Sequence, residues 1–108
     1  LLIANSRAVT VPVSLKIGSS GTAITQQTVY TPTLTPAAVA AAGFSEQTFT
    51  VTGLATTDTV IVNGPAATAS SALVSFRVSA ANTLALTWFC QSALTPAAGT
   101  YRIVAIRS

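Results

Sequence analysis

Glu46 and Asp58 are the only side-chain carboxylates of this chain, which has no His and a single Cys. Two carboxylates are the equipment of a glycoside hydrolase, provided they face each other across a cleft with their pKa values pushed apart. Positions 46 and 58 are too distant in sequence for any local element to pair them, so the expectation is two separate, solvated carboxylates. Without His, the Ser-His and Cys-His nucleophile systems and every His-ligated metal are excluded. No Gly-rich phosphate loop, Cys pair or acidic calcium loop occurs. Cys90 closes the apolar stretch 84–90, where a thiol is expected to be buried and inert, and it has no partner for an intrachain disulfide. Trp88 and Phe89 suggest a sugar-stacking platform, but neighbours on a strand point to opposite faces. Trp88 shares its parity with Leu84 and Leu86 and is assigned to the core. Phe89 falls on the parity of Ala85 and Thr87 and is assigned to an interface or ligand contact. The chain is therefore read as having no catalytic residue, no cofactor and no metal.

The elements that must position these side chains follow from composition. In 108 residues there are 5 Lys plus Arg and 2 Asp plus Glu, so charged residues make up only 6%. Globular domains average about 25%. Spread over the roughly 5,600 Å² that one domain of this mass exposes, seven charges leave a mostly neutral surface. The excess of base raises the pI, but Arg7, Lys16, Arg77, Arg102 and Arg107 are scattered where a phosphate-binding stripe needs clustering. Nucleic acid is not an expected partner. Nor is a membrane: Leu1-Leu2-Ile3-Ala4 is too short for a signal core or a span, and the absence of an initiating Met reads as a processed or incomplete product. Thr, Val and Ile together supply about a third of the residues and prefer a pleated surface.

Residues 8–17 carry Val9, Val11, Val13, Leu15 and Ile17 at period two, the pattern of a half-buried strand, with Pro12 directing it to an edge. Gly18 to Gly21 turn the chain into a second strand over 22–30, which stops at Thr31-Pro32. The only helical signal lies at 31–43, where Thr35 can cap, Pro36 fits the first position and Gly43 can terminate one or two turns. The pentapeptide Leu-Thr-Pro-Ala-Ala occurs at 34–38 and again at 94–98, and is read as recurring turn chemistry. Residues 49–54 end a strand, and 59–65 form another closed by Asn-Gly-Pro. Val74, Phe76 and Val78 are expected on one face of 72–79. A turn through Asn82 in a left-handed conformation leads to a strand with Leu84, Leu86, Trp88 and Cys90 on one face. The last strand, 101–107, is apolar on both parities. Ile103 and Ala105 belong to the core, while Val104 and Ile106 are covered either by a neighbouring sheet or by another chain, since an exposed pair on a terminal strand is an edge-pairing hazard. The fold class read from these elements is all-β: a β-sandwich of jelly-roll or immunoglobulin-like topology with six to eight short strands and at most one short helical turn. Residues 1–7 are an N-terminal arm and 8–108 a single domain.

Through residues 74–89 and Leu-Thr-Pro-Ala-Ala-Gly-Thr-Tyr-Arg-Ile-Val-Ala-Ile-Arg at 94–107, the sequence resembles the small Ala/Thr-rich β modules of tailed-bacteriophage virion proteins, over about 49–107. That resemblance implies a structural virion component, assembled in the host cytoplasm and acting by docking. A capsid decoration or cement protein comes first; a receptor- or glycan-binding module of a spike or fibre is the alternative. Its expected partners are itself, as a homotrimer, and the major capsid protein or another virion protein. Leu1, Leu2, Ile3, Phe89, Val104 and Ile106 are the interface candidates, the first three because an apolar arm without a turn or cap gains burial across a neighbour.

Overall fold

The computed structural model describes residues 13–65 and 70–108. The arm at 1–7 with Leu1, Leu2 and Ile3, the first part of the strand expected at 8–17, and most of the loop at 66–71 lie outside them. Among the described residues eight strands carry the fold: β1 (Gln26–Tyr30), β2 (Thr33–Leu34), β3 (Gly43–Thr50), β4 (Thr59–Asn63), β5 (Ser71–Ala80), β6 (Thr83–Cys90), β7 (Gly99–Thr100) and β8 (Arg102–Arg107). The fold is all-β, and the described residues contain no helix. They form two three-stranded antiparallel sheets, ordered β1-β8-β4 and β3-β6-β5, and a two-stranded sheet of β2 and β7.

The helical reading of 31–43 gives way to an extended strand, and the reason lies some sixty residues downstream. β1 pairs with β8 from Gln26↔Arg107 to Tyr30↔Ile103, β2 pairs with β7 at Thr33↔Thr100 and Leu34↔Gly99, and Val39 bridges Leu94. Between them the Tyr101 N–H donates to the Pro32 carbonyl at 2.9 Å. All these pairs obey one register, so 26–39 and 94–107 form a single antiparallel ribbon. The two Leu-Thr-Pro-Ala-Ala copies are therefore not turns but opposite sides of that ribbon. Pro36 and Pro96 cannot donate to it, which opens the ladder between Leu34 and Val39. Gln47 fills part of the gap from β3: its Oε1 accepts from the Ala37 N–H at 2.7 Å and its Nε2 donates to the Ala37 carbonyl at 3.0 Å. Burial of Leu34 and Val39 then outweighs the weak local preference of five alanines for one or two helical turns.

Both three-stranded sheets feed one core. Val60, Ile103 and Ala105 come from one sheet, Val78, Leu84, Leu86, Trp88 and Cys90 from the other, with Leu34, Val39, Val51, Leu54 and Tyr101 closing the ends. Cys90 and Trp88 are buried as expected, and Trp88 meets Phe49 and Tyr101 edge-on, at centroid distances of 6.1 and 6.4 Å. Asn82 takes φ 61°, and the turn it makes is also a clamp. Its Oδ1 accepts from the Gly53 N–H at 2.8 Å, its N–H donates to the Leu54 carbonyl, and its own carbonyl accepts from Val51. Gly53 needs its freedom: its φ is +108°, and a Cβ there would lie 2.7 Å from the Tyr30 hydroxyl.

Three expectations are corrected. A bulge between Leu73 and Ser75 breaks the period of β5, so Leu73 in place of Val74 stands opposite Trp88 and packs against the core, while Phe76 and Val78 keep one parity opposite Leu86 and Leu84, Val78 buried and Phe76 38% exposed. The last strand is not an edge but the centre of its sheet, flanked by β1 and β4. The described part of the 8–17 strand joins no sheet: Leu15 makes a lone antiparallel bridge to Ile24, and Val13, Leu15 and Ile17 are exposed.

Tyr101 links core and ribbon. Its ring is buried against Trp88, and its hydroxyl donates at 2.6 Å to the Ala97 carbonyl, four residues upstream and beyond β7. Burial disfavours the phenolate and raises the Tyr101 pKa above its ordinary 10.0. Its folded form thus holds the proton more firmly than its unfolded form, and the associated stability is complete below about pH 10 and lost as pH rises through the raised value. Tyr101→Phe is expected to cost about 1 kcal/mol at neutral pH and to flatten the alkaline limb of the denaturation midpoint measured against pH.

Candidate functional site

The side chains left over from the core lie on the two outer sheet faces. On β3-β6-β5 the strict alternation of β3 sends Ser45, Gln47 and Phe49 inward and Phe44, Glu46, Thr48 and Thr50 outward. Phe44 pairs with Phe89 across the ladder; their rings are 5.0 Å apart and tilted by 48°, and Phe44 is 71% exposed. One step along, Glu46 stands opposite Thr87 and reaches Arg77 of β5. The guanidinium donates from Nη2 to Oε1 at 2.9 Å and from Nε to Oε2 at 3.3 Å, while the Thr87 hydroxyl donates to Oε2 at 3.4 Å. An exposed Phe44 ring, leaning on half-buried Phe89, thus adjoins an exposed ion pair and a hydroxyl. Phe89 is where sequence parity put it. Phe44 was missed, because its strand shows no apolar alternation.

On β1-β8-β4 the outward side chains form two cross-strand rows, Val29, Val104 and Ile61 in one and Gln27, Ile106 and Thr59 in the next. Val29 and Ile61 are exposed and Val104 and Ile106 half-buried, so the first row is apolar, with Gln27 and Thr59 flanking Ile106 in the second and the exposed Arg102 opposite Asn63 beyond the first. Among the described residues nothing covers Val104 and Ile106 fully, and both stay half-buried. Of the expected interface residues, the structure places Val104 and Ile106 together, and Phe89 on the other sheet. Ile61 and Val29 complete the patch, and only the non-local strand order could have revealed them.

The two carboxylates do not meet; each has its own arginine. Asp58, just ahead of β4, is almost wholly covered, its side chain 2% exposed, and Arg107 of β8 donates to it twice, from Nε to Oδ1 at 2.7 Å and from Nη2 to Oδ2 at 3.1 Å. The same guanidinium donates to the Gly53 carbonyl and to Gln26 Oε1, and the Ala55 N–H donates to Asp58 Oδ2. The Arg107 hydrogen bonds outweigh the opposing cost of burial and hold the Asp58 carboxyl below its ordinary 3.8. With every atom engaged in tying the 53–58 turn to the end of β8, this is a structural clamp. Among the described residues no three His, Cys, Asp or Glu side chains cluster as metal ligands would. Comparison with protein-family models, curated proteins and solved structures returns no match for the chain.

Proposed function

We propose that the chain is a non-enzymatic structural protein of a bacteriophage virion, a decoration or cement protein that docks on the head as a homotrimer and stabilises it. The observation that supports this most is the surface. Both three-stranded sheets turn apolar side chains outward, Phe44 and Phe89 on one and Val29, Ile61, Val104 and Ile106 on the other, in a chain with only seven charged residues. Outward apolar side chains with few charges among them are what a docking module buries against itself and a shell, whereas a free monomer keeps such patches small. The Tyr101 hydroxyl bond to a carbonyl four residues upstream also fits the sandwich topology such modules use. The major capsid protein is then the second partner.

Quantitative mass spectrometry of purified particles tests the reading. A symmetric shell component is expected in hundreds of copies per particle, and the purified chain should co-sediment with emptied heads. Absence from the particle would overturn it. The runner-up, a receptor- or glycan-binding module of a spike or fibre, is favoured by the exposed Phe44 ring beside Glu46, Arg77 and Thr87, since aromatic faces and charged hydrogen-bonding groups are what sugar rings engage. It predicts a few copies per particle and glycan-array binding abolished by Phe44→Ala.

A further inference from the structure

We infer that the hairpin at 13–24 is an exchange arm, and that its apolar stripe seats on the outer face of the β1-β8-β4 sheet of a second copy of this chain. The inference rests on the homo-oligomeric reading above and names its surfaces. It starts from a mismatch between sequence and structure. Val13, Leu15 and Ile17 alternate with Ser14 and Lys16, as on a strand that buries one side. Yet they are 79, 47 and 75% exposed, and among the described residues the two sides of the hairpin are joined by the Leu15 and Ile24 bridge, through bonds of 2.9 and 2.7 Å, and by one turn bond from the Gly21 N–H to the Gly18 carbonyl at 3.3 Å. A two-stranded hairpin so weakly paired is marginal on its own. Its turn is nonetheless built in detail. Gly18 takes φ +78°, and a Cβ at Gly21 would run into the Ile17 carbonyl.

The area decides which surface it takes. A fully exposed Val, Leu or Ile side chain offers about 100 Å² of apolar surface, so the three arm residues present roughly 200 Å². The row of Val29, 44% exposed, and Ile61, 58% exposed, with half-buried Val104 and Ile106 between and beside them, presents a similar area. One arm on one face removes roughly 400 Å² of apolar surface, or about 600 Å² in all at the two-thirds apolar share of homomeric interfaces. That falls short of the roughly 1,000 Å² a stable interface needs. A single contact therefore does not hold two copies together, but in a closed ring every copy gives an arm and receives one, so releasing any copy breaks two contacts, about 1,200 Å². Arm against arm, by contrast, buries only a single pair of stripes and stays below the threshold.

The test uses the full chain. Ile17→Cys and Ile61→Cys proteins, both substituted at exposed positions, are mixed and treated with a short bis-maleimide; the native Cys90 is fully buried and serves as an internal blank. The expected result is a cross-linked heterodimer well in excess of either homodimer. Ile61→Asp should convert the light-scattering mass of the wild type to that of a monomer while keeping its far-UV circular dichroism spectrum. A wild-type monomer at high micromolar concentration, a predominance of either homodimer, or no cross-link would overturn the arm assignment. These outcomes concern the isolated protein, so they leave the virion reading to its own test, presence on the particle.

Discussion

Trp88→Ala is expected to lower stability by about 3 to 5 kcal/mol, the largest effect of any single truncation in the chain. Three observations set the size. The indole is 4% exposed, so essentially its whole surface is removed from water on folding. It stands on the central strand β6 between Leu86 and Cys90, both fully buried, so the cavity left behind has walls that cannot collapse into it from solvent. It also meets two rings edge-on, Phe49 from β3 and Tyr101 from the strand junction at β8, and such pairs add about 0.5 to 1.5 kcal/mol beyond area. Against a total of about 5 to 15 kcal/mol for a folded domain, the loss consumes a large share of the stability. Urea denaturation followed by circular dichroism measures it, since the mutant loses its only Trp fluorophore. Phe89→Ala, one residue along but on the outer face, should cost far less. An unchanged midpoint for Trp88→Ala, with loss of partner binding instead, would return Trp88 to the surface-platform role.

The contrast between Trp88 and Phe89 was legible in the sequence because it depends only on the period of one strand. The β5-β6 hairpin, β4 and the parity of β8 were legible for the same reason, since each is a local pattern of β-branched residues bounded by turn chemistry. The remainder depended on partners far along the chain. β3 shows no apolar period, since its inward positions include Ser45 and Gln47, and Gln47 faces inward to bond Ala37, not to pack. The segment 31–43 has good helix caps and adopts none of them, because its ladder partner begins at Leu94. The two apolar parities of β8 read as an edge-pairing hazard, whereas its neighbours β1 and β4, from the first two thirds of the sequence, place it at the centre of its sheet. The candidate surface shared this fate. Phe89, Val104 and Ile106 announced themselves by parity, but Phe44, Val29 and Ile61 became neighbours only through strand order.

The acid limb of stability should be dominated by one such long-range pair. Asp58→Ala is expected to lower Tm near neutral pH by on the order of 10 °C, and the gap between wild type and variant should close as the solution is acidified. Arg107 donates two hydrogen bonds to Asp58 and the Ala55 N–H a third, so truncation strands the guanidinium beside Gly53 and Gln26 without its counter-charge and releases the 53–58 turn. The sign follows from the proton count. The Asp58 pKa is lowered in the folded chain, chiefly by the Arg107 hydrogen bonds, so the unfolded chain binds more protons between the depressed value and the ordinary 3.8. The contribution is therefore complete above about pH 4 and lost as pH falls through the depressed value. The Glu46 and Arg77 pair is the control. Their side chains are 42 and 57% exposed, and water and salt screen such a pair nearly to nothing, so Glu46→Ala should leave Tm almost unmoved. Thermal melts of the three proteins across the acid range measure both effects. If Asp58→Ala tracked Glu46→Ala at neutral pH, or if its deficit persisted undiminished well below the ordinary carboxylate range, the covered pair would not be the clamp that ties the end of β8 to the turn before β4.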